Sequence, residues 1–340
     1  MLSGTIVFGA GLSILFSNLS AGWAGVAFNF AGQITDLVSG LIRVHSSLEM
    51  AMNSVERVEE YSKLEQEPPA IIPGHRPPEN WPTQGRVQVV DLTLKYAPEL
   101  PDVLKRISFN IEANEKIGIV GRTGAGKSTL SMAFFRILPF VEGKIIIDDV
   151  DISTIGLHDL RSRLTIIPQD PILFEGTLRS NLDPLHEKDD ALIWDAVKQT
   201  GLIESLQRLD GSSGGMVLDS HVAENGSNFS QGQRQLLCLA RALLRSSRFI
   251  FMDEATASVD HESDIKIQDT IRNRFKEGCV LTVAHRIKTV IDYDRIMVLD
   301  DGNIVELDTP RNLFEKQGNF YKMCQESGDF EELKRYVYDN

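Results

Sequence analysis

One short stretch constrains this chain more than any other: Gly121-Arg122-Thr123-Gly124-Ala125-Gly126-Lys127-Ser128-Thr129. It follows Glu115–Val120, which reads as a buried strand, and leads into Leu130–Leu138, which reads as a helix. A strand, a GxxxxGK[ST] loop and a helix together form a cradle for phosphate. Glycines at 121, 124 and 126 can adopt left-handed conformations and turn backbone N–H groups inward. The helix N-terminus adds positive dipole. Lys127 is expected to reach the β- and γ-phosphates of a nucleoside triphosphate, and the Ser128 hydroxyl to ligate Mg²⁺.

A phosphate loop alone does not make a hydrolase, because the metal also needs a carboxylate and the attacking water needs a base. Phe249-Ile250-Phe251-Met252-Asp253-Glu254 supplies both at the end of an apolar strand. Asp253 is expected to hold Mg²⁺ through its water shell, and Glu254 to polarise the water as general base. Adjacent acids ending a strand could equally cap a helix. Their pairing with the loop favours the catalytic reading.

The rest of the chain bounds the answer. A formal charge of −13 over 340 residues, with no basic run, argues against a nucleic-acid partner. Cys238, Cys279 and Cys324 are widely spaced and lack a CxxC pair, which argues against a disulfide framework or zinc site and suits a reducing cytosol. Residues 1–42 carry one ionisable side chain, Asp36. Two apolar segments stand there, roughly Thr5–Leu19 and Ala21–Ile42. The second is long enough for the ~20 residues of a spanning helix. No basic n-region marks a signal peptide. Val44, Leu48, Met52, Val55, Val58 and Tyr61 continue at helical spacing among charges, so the helix is expected to leave the membrane on its cytoplasmic side. Six of the thirteen prolines then fall between Pro68 and Pro82, the pattern of a semi-rigid connector.

Asn228-Phe229-Ser230-Gln231-Gly232-Gln233-Arg234-Gln235 precedes an apolar helical run, Leu236–Leu244. This segment resembles the signature of ATP-binding-cassette (ABC) proteins. Other positions match that family's motifs: Gln169 the Q-loop, Ala257-Ser258-Val259-Asp260 the D-loop, His285 the switch histidine, and Tyr96 the aromatic that stacks on adenine. The run Ile167–Pro184, with Ser54–Tyr61, is similar to the second nucleotide-binding domain and last membrane helix of the multidrug-resistance-associated (C) subfamily.

The resemblance implies an α/β P-loop NTPase fold: a RecA-like core, an antiparallel β subdomain holding Tyr96, and a helical subdomain from about Pro171 to Arg245, preceded by α-helical transmembrane segments. Residues 1–64 are expected to end a transmembrane domain, 65–85 to form the Pro-rich linker, 86–325 the nucleotide-binding domain and 326–340 a charged tail. ATP and Mg²⁺ are the implied cofactors. Tyr96 and residues Gly121 to Thr129 hold the nucleotide, Ser128, Asp253 and Gln169 the metal, while Glu254, His285, Gln169 and Lys127 act in catalysis. Ser230, Gly232 and Gln233 are expected to reach ATP bound on an opposing domain.

The implied activity is ATP hydrolysis coupled to export of small organic solutes or conjugates, by an integral membrane protein with its ATPase domain in the cytoplasm. Its partners are a second nucleotide-binding domain, further membrane helices and the membrane itself. An ATP-gated channel or channel regulator of the same subfamily is the competing reading, and a soluble ABC ATPase a third. The chain looks like the C-terminal part of a full transporter. Its signature departs from Leu-Ser-Gly-Gly-Gln at Phe229 and Gln231, so the site it caps is expected to be slower than the site on its own loop. Asp301-Gly302 reads as a hairpin turn. Thr309–Asn340 reads as helical and solvated.

Overall fold

From Val87 onward, short β-branched runs alternate with helical stretches, and in the computed structural model they assemble as two large sheets, a two-stranded ribbon (Gly176–Thr177 with His221–Val222) and helices. Residues 2–16, 20–203, 218–253 and 261–339 are described. The chain divides into two units, Met1–Glu67 and Pro68–Asn340.

The first unit holds α1 (Leu2–Phe16) and α2 (Ala21–Ser62), which touch one another. The helical spacing expected after residue 42 is realised, since α2 runs unbroken for 42 residues, about 63 Å at the usual rise. The expected membrane-spanning helix is corrected: among the described residues, no helix is long and apolar enough to cross a membrane. The reason is local. α1 has only 15 residues, and Asn29, Gln33 and Asp36 interrupt the apolar part of α2.

In the second unit, β1 (Val87–Leu94), β2 (Leu104–Ile111), β3 (Lys116–Gly121), α3 (Lys127–Phe134), β4 (Glu142–Ile147), β5 (Val150–Asp151), α4 (Leu157–Arg161) and β6 (Thr165–Ile167) come first. There follow β7 (Gly176–Thr177), α5 (Leu178–Leu182), α6 (Asp190–Gln199), β8 (His221–Val222), α7 (Gln231–Arg245), β9 (Phe249–Asp253), α8 (His261–Arg274) and β10 (Cys279–Val283). Last come β11 (Arg295–Asp300), β12 (Asn303–Asp308), α9 (Pro310–Lys316), α10 (Asn319–Glu326) and α11 (Phe330–Asp339).

One sheet is antiparallel, in the order β2-β1-β4-β5. The other runs β12-β11-β3-β10-β9-β6, parallel except for its edge strand β12. Its central strands β9 and β10 are buried on both faces, as parallel strands covered by helices must be. The period of two sorts their side chains. Phe249, Phe251, Leu281 and Val283 enter a core shared with α3 and the antiparallel sheet, whereas Ile250, Met252 and Val280 enter a second core beneath α7. The hairpin expected at Asp301-Gly302 joins β11 to β12, with φ of 44° and 77° at the two residues, the geometry of a primed turn.

The Pro-rich segment is not a free spacer. Trp81 is buried in the first core and donates its indole N–H to the Ile147 carbonyl at 2.7 Å. The Asp148 carboxylate accepts backbone N–H groups from Thr83, Gln84, Gly85 and Arg86. Burial opposes its ionisation, yet those donors leave its pKa below the ordinary value. Arg76 pairs with the buried Asp159 carboxylate at 2.7 Å and holds its pKa down as well. Prolines forbid regular structure but not docking.

The C-terminal stretch is helical, as expected, but it is more than a solvated surface. Leu313, Phe314, Phe320, Leu333 and Val337 are buried in a third core, where the Phe314 ring stacks on Phe330 with centroids 6.1 Å apart. Upstream, Asp308 accepts from Lys316 Nζ at 2.6 Å, Asn312 Nδ2 at 2.7 Å and the Thr309 N–H at 2.8 Å, and its pKa falls to about 2. An unfolded Asp titrates near ~3.9, so this contribution is complete above that pH and is lost as pH falls through about 2. Urea melts between about pH 5 and about pH 2 should therefore lose less stability in Asp308→Asn than in the parent chain.

Candidate functional site

Strand β3 delivers the chain to Gly121, and α3 takes it up at Lys127. Between them, Gly124 sits at φ +85° and Gly126 at +97°, so both need the freedom of glycine. At Gly126 space is also short, because a Cβ would lie 2.8 Å from Leu104 Cδ2. The Lys127 ammonium folds over the loop and donates to the Gly121 carbonyl at 2.8 Å and the Arg122 carbonyl at 3.0 Å. Ser128 Oγ lies 3.4 Å from Asp253 Oδ1. Tyr96 OH meets Thr129 Oγ1 at 3.1 Å, and half of the tyrosine remains exposed.

Sheet register gathers the other groups. Val283 of β10 pairs with Ile119 on one side and Asp253 on the other, and Ile167 of β6 pairs with Met252. Gly121, Gln169, Asp253 and His285 therefore all emerge from the C-terminal edge of one parallel sheet, where ligands of such sheets bind. Gln169 and His285 are exposed. Glu254 and the segment Ala257-Ser258-Val259-Asp260 lie outside the described residues.

Ser230, Gly232 and Gln233 form a separate helix N-terminus. Ser230 caps α7: its Oγ accepts the Gln233 N–H at 3.2 Å, and Gln233 Oε1 accepts the Ser230 N–H at 2.9 Å. The flanking Phe229 and Leu236 anchor this turn in the second core, whereas Ala125 and Leu130 of the phosphate loop and its helix belong to the first. Gln231, one of the two signature departures, is the first helical residue and lacks a positive φ. A non-glycine residue therefore costs nothing in backbone strain there. What changes is bulk, and its side chain turns to accept from Arg234 Nη2 at 2.7 Å.

The donor set fits a nucleotide-borne Mg²⁺. Among the described residues, no group of three His, Cys, Asp or Glu forms a metal cluster. A serine hydroxyl beside one carboxylate matches instead a small hard cation that brings waters and phosphate oxygens with it.

Residues 104–257 match the family described as ABC transporter. The chain is also 48% identical, over 354 aligned positions, to the ATP-dependent bile acid permease of Saccharomyces cerevisiae. It belongs to the ABC transporter family. The bile acid permease alignment takes in 98% of this chain but 21% of that protein. Human ATP-binding cassette sub-family C member 3 is 48% identical, over 92% of this chain and 20% of its own length. The chain thus spans about a fifth of the curated relatives it matches. A bacterial Atm1-family ABC exporter solved with ATP bound superposes with a TM-score of 0.73 and 25% identity, covering 95% of this chain and 56% of the other.

Two residues of the ABC domain escaped the sequence reading, Gln235 and Arg241. Gln235 directly precedes the apolar run Leu236–Leu244 and Arg241 interrupts it, and Gln235 is 3% exposed. A buried amide or guanidinium at helical spacing was the signal, because such groups must find partners.

Proposed function

We propose that this chain binds MgATP on the Gly121–Ser128 loop and hydrolyses it as one half of a composite site. The observation that carries this reading is the single sheet edge from which Gly121, Asp253, Gln169 and His285 emerge, with Ser128 and Asp253 3.4 Å apart. Lys127 exchanges its loop carbonyls for phosphate oxygens, and the loop N–H groups and the α3 dipole hold the remainder. Ser128, Asp253 and Gln169 orient the metal, which neutralises charge on the phosphoryl group when bound. Glu254, next to Asp253, takes the proton of the attacking water, and His285 steadies the γ-phosphate side. Tyr96 offers its exposed ring to adenine.

A second nucleotide-binding domain completes this site with its own signature, while Ser230, Gly232 and Gln233 serve the opposing one. The isolated chain should bind ATP and turn it over slowly. Exposed Phe8, Leu15, Phe16, Trp23, Phe28 and Leu37 on α1 and α2 suit further helices and lipid as neighbours. Export of small organic solutes across a membrane is the coupled process, in line with relatives named as a bile acid permease and a sub-family C transporter. Lys127→Ala in the purified chain should weaken binding of a fluorescent ATP analogue by about ten- to a hundredfold, the worth of a charge-assisted contact. Unchanged affinity would overturn the reading.

A further inference from the structure

The segment leaving β6 at Ile167 carries Gln169, and it is fastened along α7 at two places. Near the start of that helix, the Gln235 amide donates Nε2 to the Gln169 carbonyl at 2.7 Å and to the Pro168 carbonyl at 3.3 Å. The reverse orientation would set its oxygen against two carbonyl oxygens, so the amide assignment is unambiguous. Six residues on, Arg241 donates Nη1 to the Ile172 carbonyl at 2.8 Å and Nη2 to Asn181 Oδ1 at 2.8 Å. Asn181 Oδ1 in turn accepts the Phe174 N–H at 2.9 Å. Residues 168–174 therefore lie bonded to the helix that Ser230 caps, and Gln235 is about 7.5 Å of helix rise from that cap.

We propose that Gln235 is a positioning residue: it ties the Gln169 backbone to the signature helix, so that Gln169 and Ser230 move as one body. The proposal rests on the ATPase reading above and deepens it, because it links the chemistry at this chain's own ATP to the cap over the opposing one. The Gln235 side chain binds backbone carbonyls of the Gln169 segment. Its two carbonyl partners fix the backbone from which the Gln169 side chain projects, and without them that side chain spreads over positions away from the reacting centre.

The test uses the complete ATPase assembly containing this chain and reads kcat and KM for MgATP separately. Gln235→Met keeps length and apolar fit but removes the donor. It should lower kcat about tenfold with KM within about twofold, because misplacing a catalytic contact costs rate while the loop still binds nucleotide. Gln169→Ala should lower kcat as well, and the double variant should be no slower than Gln169→Ala by more than about twofold, as expected for groups acting as a unit. Should Gln235→Met give no folded protein, Gln235→Leu, which is apolar and also lacks the donor, takes its place. Wild-type kcat in the Gln235 variant, a rise in KM alone, or losses that multiply in the double variant would each overturn the proposal. Glu254→Gln in the same assembly reports on the ATPase reading independently: turnover persisting there sinks that reading, whereas its loss leaves any failure to Gln235 alone.

Discussion

Replacing Glu254 with Gln is expected to cut ATP turnover of the assembled ATPase by about 10²- to 10⁴-fold, the usual worth of a positioned general base. The amide keeps the size and hydrogen-bonding reach of the carboxylate but cannot take the proton of water. Glu254 follows Asp253, which lies 3.4 Å from Ser128 at the sheet edge that also presents the phosphate loop. Nucleotide affinity should stay within about twofold, because loop N–H groups and Lys127 carry the binding. The measurement is phosphate release at saturating ATP, alongside equilibrium binding. The outcome also bears on asymmetry between the two composite sites. A near-complete loss assigns turnover to the site on this chain's loop, whereas turnover kept at half or more assigns it to the site capped by Ser230 and would refute the assignment of Glu254. The structure has already narrowed the grounds for asymmetry: Gln231 is helical, so any effect it has must come from side-chain bulk rather than from backbone strain.

Phe134→Ala is expected to destabilise the nucleotide-binding unit by about 3–5 kcal/mol, the range for deleting a fully buried ring. Phe134 has no exposed surface, and its ring centroid lies 4.9 Å from Phe249 and 6.0 Å from Phe251. Those contacts pack α3 against β9, the strand that ends at Asp253. Against a typical domain stability of about 5–15 kcal/mol, the loss is a large share of the total. Removing Phe134 should therefore loosen the helix that follows the phosphate loop as well as the core. Urea unfolding with and without MgATP separates the two effects. A midpoint within experimental error of wild type would contradict the packing argument, and a normal response to ATP would place the damage in the core alone.

Local signals were legible where one stretch of chain carries its own physics. The glycines of the phosphate loop, the apolar strand ending in Asp253 and the Asp301-Gly302 turn could be read directly, because backbone freedom, period and turn chemistry are properties of neighbouring residues. The same reasoning overreached at Ala21–Ile42, where length suggested a spanning helix but Asn29, Gln33 and Asp36 dilute its apolar character. It underestimated the prolines before Gly85, since nothing nearby in sequence reveals that Trp81 finds the Ile147 carbonyl or that Asp148 waits for four backbone N–H groups. The C-terminal helices misled in the same way, because their buried face is defined by partners elsewhere in the chain, such as Ile291 and Tyr293.

The sequence by itself determined that a phosphate-binding loop stands between a strand and a helix, and which side chains are chemically able to serve it. Only the tertiary structure decided that Gln169, Asp253 and His285 share the loop's sheet edge, and that Gln235 and Arg241 bind the Gln169 segment to the signature helix. The physical reason is range. Loop conformation follows from adjacent residues, whereas strand order, and the carbonyl that a buried amide meets, depend on contacts between residues from 66 to 164 positions apart, which form only when the cores close around them.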